Sequence, residues 1–355
     1  MKNLRVEDIA KEMICLECGR DVEFHRIDEA SGILVCKKCF NIYTLSEGII
    51  TALPKKYLDK EAYLDFFVSF KIFFDKNATL KSRFTKFLNR LPKKTKKWED
   101  DDVLFWDEKY EKEYLELKTK ALVSRAYLRD KILFRPLRNF GFKNHYILEV
   151  GCGEAISVQK SLLAHSNDFI YFATDYSYQG LKFLKKKLKN KKNIIYIQCL
   201  GDAIPFKDEM FDDIICLGVI HHMPKKEVHV GELFKKLKTG GFLLINEPYE
   251  RDYKLPKSLE KIVQRIIEPD QSAHEERINR DRFMKNLRKE GKIISEFHGH
   301  TPTKTVLIKI TGSLYERSVG FVKLVILLDK TTEKSLGKIW HLFAAGECLA
   351  LVKKE

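Results

Sequence analysis

Long apolar runs are missing from this chain of 355 residues. The best is "LVILL" after Lys323, far short of the ~18 apolar residues that a membrane-spanning helix needs. The opening "MKNLRVEDIAKEM" has no apolar core, so a secretory leader is not expected. Cysteine is scarce, with eight residues in all, and Cys152, Cys199, Cys216 and Cys348 stand singly. Isolated thiols of this kind read as small core residues. A secreted disulfide scaffold is thereby excluded, and the expected location is the cytoplasm, with reduced thiols, or the membrane periphery. There is no internal repeat. With 44% hydrophobic and 32% charged residues, the composition is that of an ordinary globular protein.

Charge is not scarce, but it is uneven. The net charge is +15. Residues 1–53 hold 7 basic and 9 acidic side chains, residues 54–145 hold 23 and 14, residues 146–250 hold 14 and 13, and residues 251–355 hold 21 and 14. The excess flanks the middle of the chain. Such a surface attracts nucleic acid, a phospholipid surface or a phosphorylated substrate. A dispersed, solvated lysine-rich surface accounts for the same numbers.

The other four cysteines are paired. Cys15 and Cys18 form one CxxC, Cys36 and Cys39 a second, and 17 residues separate the pairs. This is the spacing of a structural zinc site. Each knuckle points two thiolates at one place, and two knuckles close a tetrahedron that leaves no position for catalysis. A unit of about fifty residues has a small core, and the metal would supply missing stability. The rival is a redox dithiol, but a thioredoxin-type CxxC occurs once, between a strand and a helix. The segment carries more acid than base, so it is better suited to packing against protein than to gripping phosphates. Its pattern "CLEC … LVCKKCFNIYTLSEGIITALP" resembles the small zinc-ribbon family that activates methyltransferases.

Residues 54–145 have helical periodicity. Phe66, Phe67, Phe70, Phe73 and Phe74 recur at spacings of three and four, the signature of a packed helix face. "LPKKTKKWEDDD" interrupts the pattern as a loop, and "VLFWDEKYEKEYLELKTKALVSRAYLRDKILF" resumes it as one long helix or two. A helical cap or linker over 54–140 is the expectation.

"HYILEVGCGEAIS" reads as a buried strand, Tyr146 to Val150, a glycine turn and a helix start. Gly151 and Gly153 let the backbone approach a ligand and leave N–H groups at the helix end. Alone the motif is weak, and it fails GxGxxG because Ile156 occupies the third position. Glu149 changes the reading: a carboxylate there suits a cationic ligand and repels a pyrophosphate. Then come a strand ending at Asp175, placed for ribose hydroxyls, and a strand ending at Asp202-Ala203, placed for an adenine amino group. "FDDIICLGVIHHMP" contributes a fourth strand and "LKTGGFLLINEP" a fifth, with lysine-rich "LKFLKKKLKNKK" as an exposed helix between the second and third. Alternating strands and helices predict an α/β, doubly wound, mostly parallel sheet that binds ligand at the strand C-termini.

Residues 146–250 resemble class I S-adenosylmethionine-dependent methyltransferases. The family's acidic-x-Gly-x-Gly is Glu149-Val150-Gly151-Cys152-Gly153, its ribose acid matches Asp175, its adenine-side acid matches Asp202, and its lysine-glycine-glycine strand matches Lys238 to Ile245. The third glycine of many members is Ala155 here. The resemblance implies a Rossmann-like seven-stranded methyltransferase domain over 141–355, with substrate-side insertions near 250–290 and 300–345. It implies S-adenosylmethionine as cofactor, held by Glu149, Gly151, Gly153, Asp175, Asp202, Ala203 and Gly218. "HEERINRDRFMKNLRKEGKIISEF" resembles the helix and sixth strand of ubiquinone-biosynthesis-like members, and "ECLALVKKE" reads as the closing strand.

A sulfonium donor is already reactive, so the residues must chiefly align the nucleophile and exclude water. Histidine is the usual base near neutral pH. His221 and His222, at the end of the fourth strand, are the candidates, though one of a pair often only packs; His274 and Glu275 are weaker ones. "GVIHHMP" stands where methylases of exocyclic base amino groups carry Asn/Asp-Pro-Pro-aromatic. The acceptor expected first is therefore a small molecule, a lipid-linked compound or a glycan precursor, methylated on oxygen or carbon. RNA is the second class, and a non-catalytic, cofactor-binding partner protein the third.

Overall fold

The computed structural model describes residues 6–92, 127–223, 226–250, 277–300, 318–343 and 346–355. The helices used below are α1 (Val6–Ala10), α2 (Lys60–Ser69), α3 (Lys71–Lys76), α4 (Ala78–Arg90), α5 (Arg135–Phe140), α6 (Tyr178–Lys187), α7 (Lys226–Lys236), α8 (Arg280–Glu290) and α9 (Val319–Phe343). The strands are β1 (Val22–Arg26), β2 (Gly32–Cys36), β3 (Ile42–Ser46), β4 (Ile49–Thr51), β5 (Tyr146–Val150), β6 (Ile170–Asp175), β7 (Ile194–Gln198), β8 (Phe211–Leu217), β9 (Leu237–Tyr249), β10 (Gly291–His300) and β11 (Gly346–Lys354).

All eleven strands join one sheet in the order β1-β2-β3-β4-β7-β6-β5-β8-β9-β11-β10. Strands β7, β6, β5, β8 and β9 run parallel, and β11 lies antiparallel between β9 and β10. Their near-continuous apolar character follows from cover on both faces. One face holds Val230, Leu233 and Phe234 of α7 with Met284 and Leu287 of α8. The other holds Leu137 of α5, Leu181 and Leu184 of α6, and Val322 and Ile326 of α9. The helix starts are capped as the sequence allows: Ser177 Oγ accepts from the Gly180 N–H at 2.9 Å, and Asn279 Oδ1 from the Arg282 N–H at 3.0 Å.

The seven-stranded expectation describes only β5 to β11. The N-terminal unit continues the same sheet. Its strands β1 to β4 form an antiparallel meander, and β4 then pairs in parallel with β7, Ile50 opposite Ile197. The reason is an open edge: β7 ends the parallel sheet and would otherwise present unpaired backbone groups. Thr51 Oγ1 adds a hydrogen bond to Gln198 Oε1 at 3.1 Å, and Lys182 pairs with Glu47 at 3.0 Å.

Strand β2 is buried on both sides, and its alternation decides the neighbours. Leu34 and Cys36 face the core shared with Met13 and Phe206, whereas Ile33 and Val35 face the cap. The phenylalanine stripe builds that cap. Phe74 and Phe84 have ring centroids 4.9 Å apart, and Phe66 and Phe70 4.8 Å. The cap touches the parallel part of the sheet through Leu200, Tyr176 and Ala203. The helix expected after residue 102 lies almost wholly outside the described residues, as do His274 and Glu275.

Candidate functional site

The parallel strands end on one edge, and the expected ligand residues gather there. Gly151 and Gly153 have φ of 62° and 49°. A side chain on Gly151 would meet Val219 at 2.5 Å, so the turn after β5 packs against the loop after β8. Ala155, in the place of the third glycine, also takes a left-handed conformation, with φ of 50°. That geometry costs a non-glycine residue roughly 1–2 kcal/mol, and the turn keeps its shape without the glycine.

Asp175 binds the protein from both oxygens. Oδ2 accepts from the Gly153 N–H at 2.8 Å, and Oδ1 from the Ser177 N–H at 2.9 Å. It therefore locks the glycine turn to the start of α6. Asp202 is exposed beside half-buried Ala203, in a tight turn where the Ala203 N–H donates to the Leu200 carbonyl at 3.1 Å.

Glu149 is 4% exposed and accepts a hydrogen bond from the Tyr171 hydroxyl. Burial pushes its carboxyl up to about 8, against the lowering effect of that hydrogen bond and of Arg129. Arg129 itself donates to Asn246 Oδ1 at 2.8 Å and Ser157 Oγ at 3.3 Å. Arg129 and His221 both stand 3.9 Å from the point where a Gly218 side chain would begin, so Gly218 leaves open the space between them. Its φ of 78° also suits glycine.

His221 is buried and His222 half-buried, their ring centroids 4.0 Å apart and their planes tilted by 40°. His221 Nδ1 lies 2.8 Å from Glu247 Oε2. Glu247 is fully buried at the end of β9 and also accepts from the backbone N–H groups of Val219, Ile220 and His221 at 3.0, 2.9 and 3.2 Å. A carboxylate at Nδ1 favours the tautomer with its proton there, leaving the Nε2 lone pair available.

Glu247, Arg129 and Tyr171 were not expected from the sequence. Glu247 had a signal, an acid closing the apolar run "FLLIN". Arg129 lay inside a basic segment read as cap, and Tyr171 inside an ordinary strand.

In the N-terminal unit, Cys15, Cys18, Cys36 and Cys39 converge, with all four sulfurs within 4.8 Å of one another. Cys15 Sγ is 3.5 Å from Cys39 Sγ, and Cys18 Sγ 3.4 Å from Cys36 Sγ. Burial opposes ionisation of Cys36, yet the backbone N–H groups of Cys39 and Lys38 bring its thiol down to about 7. Four sulfurs about this far apart fit a tetrahedral ion with ~2.3 Å bonds.

Residues 148–245 match the family model described as a methyltransferase domain. A ubiquinone/menaquinone biosynthesis C-methyltransferase of Wigglesworthia glossinidia brevipalpis is 33% identical over 105 residues, covering 28% of this chain and 42% of that protein. A fatty-acid O-methyltransferase of Mycolicibacterium smegmatis is 25% identical over 167 residues, covering 46% and 59%. The chain thus spans less than two-thirds of these curated relatives. Among solved structures, Haemonchus contortus phosphoethanolamine N-methyltransferase 2, in complex with phosphomonomethylethanolamine and S-adenosylhomocysteine, aligns with TM-score 0.43 and 16% identity over 64% of this chain and 53% of that one. A chain from the complex between the Haloferax volcanii Trm112 methyltransferase activator and a methyltransferase aligns with TM-score 0.46 and 13% identity over 70% and 97%.

Proposed function

We propose that the protein is an S-adenosylmethionine-dependent methyltransferase acting on oxygen or carbon of a small-molecule, lipid-linked or glycan-precursor acceptor. The observation that carries the reading is the methyltransferase-domain match over 148–245, whose strand ends bring Glu149, Gly151, Gly153, Asp175, Gly218 and His221 to one sheet edge. The donor supplies an activated methyl group. The protein's part is binding, alignment and one proton transfer. Asp175 takes the ribose hydroxyls, exposed Asp202 and the Ala203 backbone take the adenine, and Arg129 and Glu149 take the carboxylate and ammonium of the amino-acid end. His221, oriented by Glu247, takes the acceptor's proton on Nε2; His222 packs its ring. The four-cysteine cluster of the N-terminal unit holds structural Zn²⁺.

RNA is the second reading, favoured by the basic excess of the two segments flanking the domain. Labelled methyl transfer from S-adenosylmethionine into fractionated extract separates the two. Label in the lipid or small-molecule fraction supports the first, label in RNA the second, and calorimetric binding without transfer to any fraction the non-catalytic reading. Asp175→Ala should weaken cofactor binding by roughly 1.5–3 kcal/mol; unchanged affinity overturns its assignment.

A further inference from the structure

The apolar run "LVILL" ends up only partly in the core. Within "LVILL", Val325 and Ile326 are buried, but Leu324, Leu327 and Leu328 are 40%, 62% and 39% exposed, and Val319, one turn earlier, is 39% exposed. At about 100° per residue, Leu324, Leu327 and Leu328 share one side of α9. Lys323, Lys330 and Lys334, all exposed, fall within about 40° of one another on the adjoining flank. Asp329, in the middle of the helix, is 1% exposed and points inward, away from the leucines.

A second exposed apolar stripe offers a contrast. Leu64, Val68 and Ile72 on α2 and α3 are 41%, 66% and 74% exposed, but exposed Glu61, Asp65 and Asp75 lie among them. That stripe has no single sign of charge.

We propose that the outer face of α9 docks the protein on an anionic phospholipid surface. An interfacial helix needs leucines that enter the headgroup boundary and lysines beside them that reach lipid phosphates. Each lysine near an anionic surface adds attraction. The inner side of α9 is anchored, with Val322 and Ile326 in the sheet core beside Phe297. The position also bears on access. Asp329 lies against Gly299, Gly299 pairs with Glu347, and Glu347 with Pro248, the residue after Glu247. The middle of α9 therefore lies level with the sheet edge that carries the proposed active site. Docking there would give an acceptor dissolved in lipid a short path to it. That last clause rests on the methyltransferase reading; the docking does not.

The test is co-sedimentation of the full chain with vesicles containing phosphatidylglycerol, beside vesicles of phosphatidylcholine alone. Binding should require phosphatidylglycerol, fall with salt and drop about tenfold or more in Leu324→Glu/Leu327→Glu. Val68→Glu, on the mixed-charge stripe, should bind like the parent. Melting and S-adenosylmethionine calorimetry check that each variant is folded. If the double leucine variant does not fold, Lys323→Glu/Lys330→Glu/Lys334→Glu reads the same surface through charge alone. Absence of phosphatidylglycerol-dependent binding, or binding indifferent to these changes, overturns the proposal. So does a parent dimer in gel filtration that the leucine variant converts to monomer without any lipid binding, because the face is then a contact between copies. Lipid binding without cofactor binding keeps the docking and removes the methyltransferase reading.

Discussion

Glu247 Oε2 lies 2.8 Å from His221 Nδ1, and the same carboxylate accepts the N–H groups of Val219, Ile220 and His221. One buried acid thus fixes both the course of the loop after β8 and the orientation of the ring it carries. Positioning and proton transfer can be separated by mutation. His221→Ala should lower kcat by about 10²- to 10⁴-fold, the usual size of a general-base effect, with little change in cofactor affinity. His222→Ala should cost much less. Glu247→Gln keeps a side chain of the same shape but favours the ring less as an Nδ1–H donor, so kcat should fall, with KM nearly unchanged. Equal losses for His221→Ala and His222→Ala would remove the distinction between base and packing partner.

The cysteine cluster makes a separate prediction. Protein purified without chelator should contain one zinc per chain by elemental analysis, and Cys36→Ser/Cys39→Ser should lose it. Unfolding should begin in β1 to β3, because these strands depend on the knuckles, and hydrogen exchange should rise there before it rises in β5 or β8. A zinc content near zero in the parent protein sinks the assignment.

What could be read from the sequence and what could not have different physical origins. The parallel strands were legible because they are short apolar runs, and a glycine or an acid closes β5, β6 and β8 directly; β7 ends earlier than expected, at Gln198, and Asp202 lies in the turn that follows. The four cysteines were legible because ligand spacing is a local property. The pairing of Ile50 with Ile197 was not, since strand partners so distant in sequence leave no local trace. Glu247 was visible as an acid at a strand end, but its role needed the loop that folds over it. Ala155 illustrates the opposite limit. The third glycine of many family members is missing, yet the structure holds Ala155 at φ 50°, so surrounding packing decided the conformation.

Glu149 should give the protein a distinctive pH response. Its carboxyl titrates near 4.5 in an ordinary setting and near 8 in the fold, because burial favours the neutral form. Between those values the folded chain holds a proton that the unfolded chain has released. Stability from this group is therefore complete below about pH 4.5, declines as pH rises toward 8 and is flat above. Glu149→Gln cannot ionise and should lack the decline. The melting temperature of the variant relative to the parent should rise steadily between about pH 5 and pH 8.5. Saturating S-adenosylmethionine should shrink that gap by placing a cation near the carboxylate. Parallel melting curves across the range would show that the buried carboxyl is not the responsible group.

Removing residues 1–53 tests how far the N-terminal unit supports the domain that follows it. The truncation takes β4 away from β7 and leaves β7 as an unpaired edge, a template for association with other chains. It also uncovers the cap, since Ile33, Val35, Ile42 and Leu53 lie in the same apolar cluster as Phe66, Phe74 and Phe84. At about 1.5–3 kcal/mol for each large aliphatic side chain buried, the lost cover is on the order of 5 kcal/mol or more. By contrast, Gly153, Asp175 and Glu149 make the described hydrogen bonds within the later domain. A chain starting at Pro54 should therefore melt lower and aggregate more readily. Any fraction that stays folded should bind S-adenosylmethionine with nearly the parent affinity. Calorimetry on freshly purified monomer, beside thermal melting of both chains, reads the two effects separately. If the truncated chain melts like the parent, the N-terminal unit does not brace the sheet. If it is equally stable but fails to bind, the unit acts on the cofactor site itself, through Leu200 and Tyr176, which share the cap cluster with it.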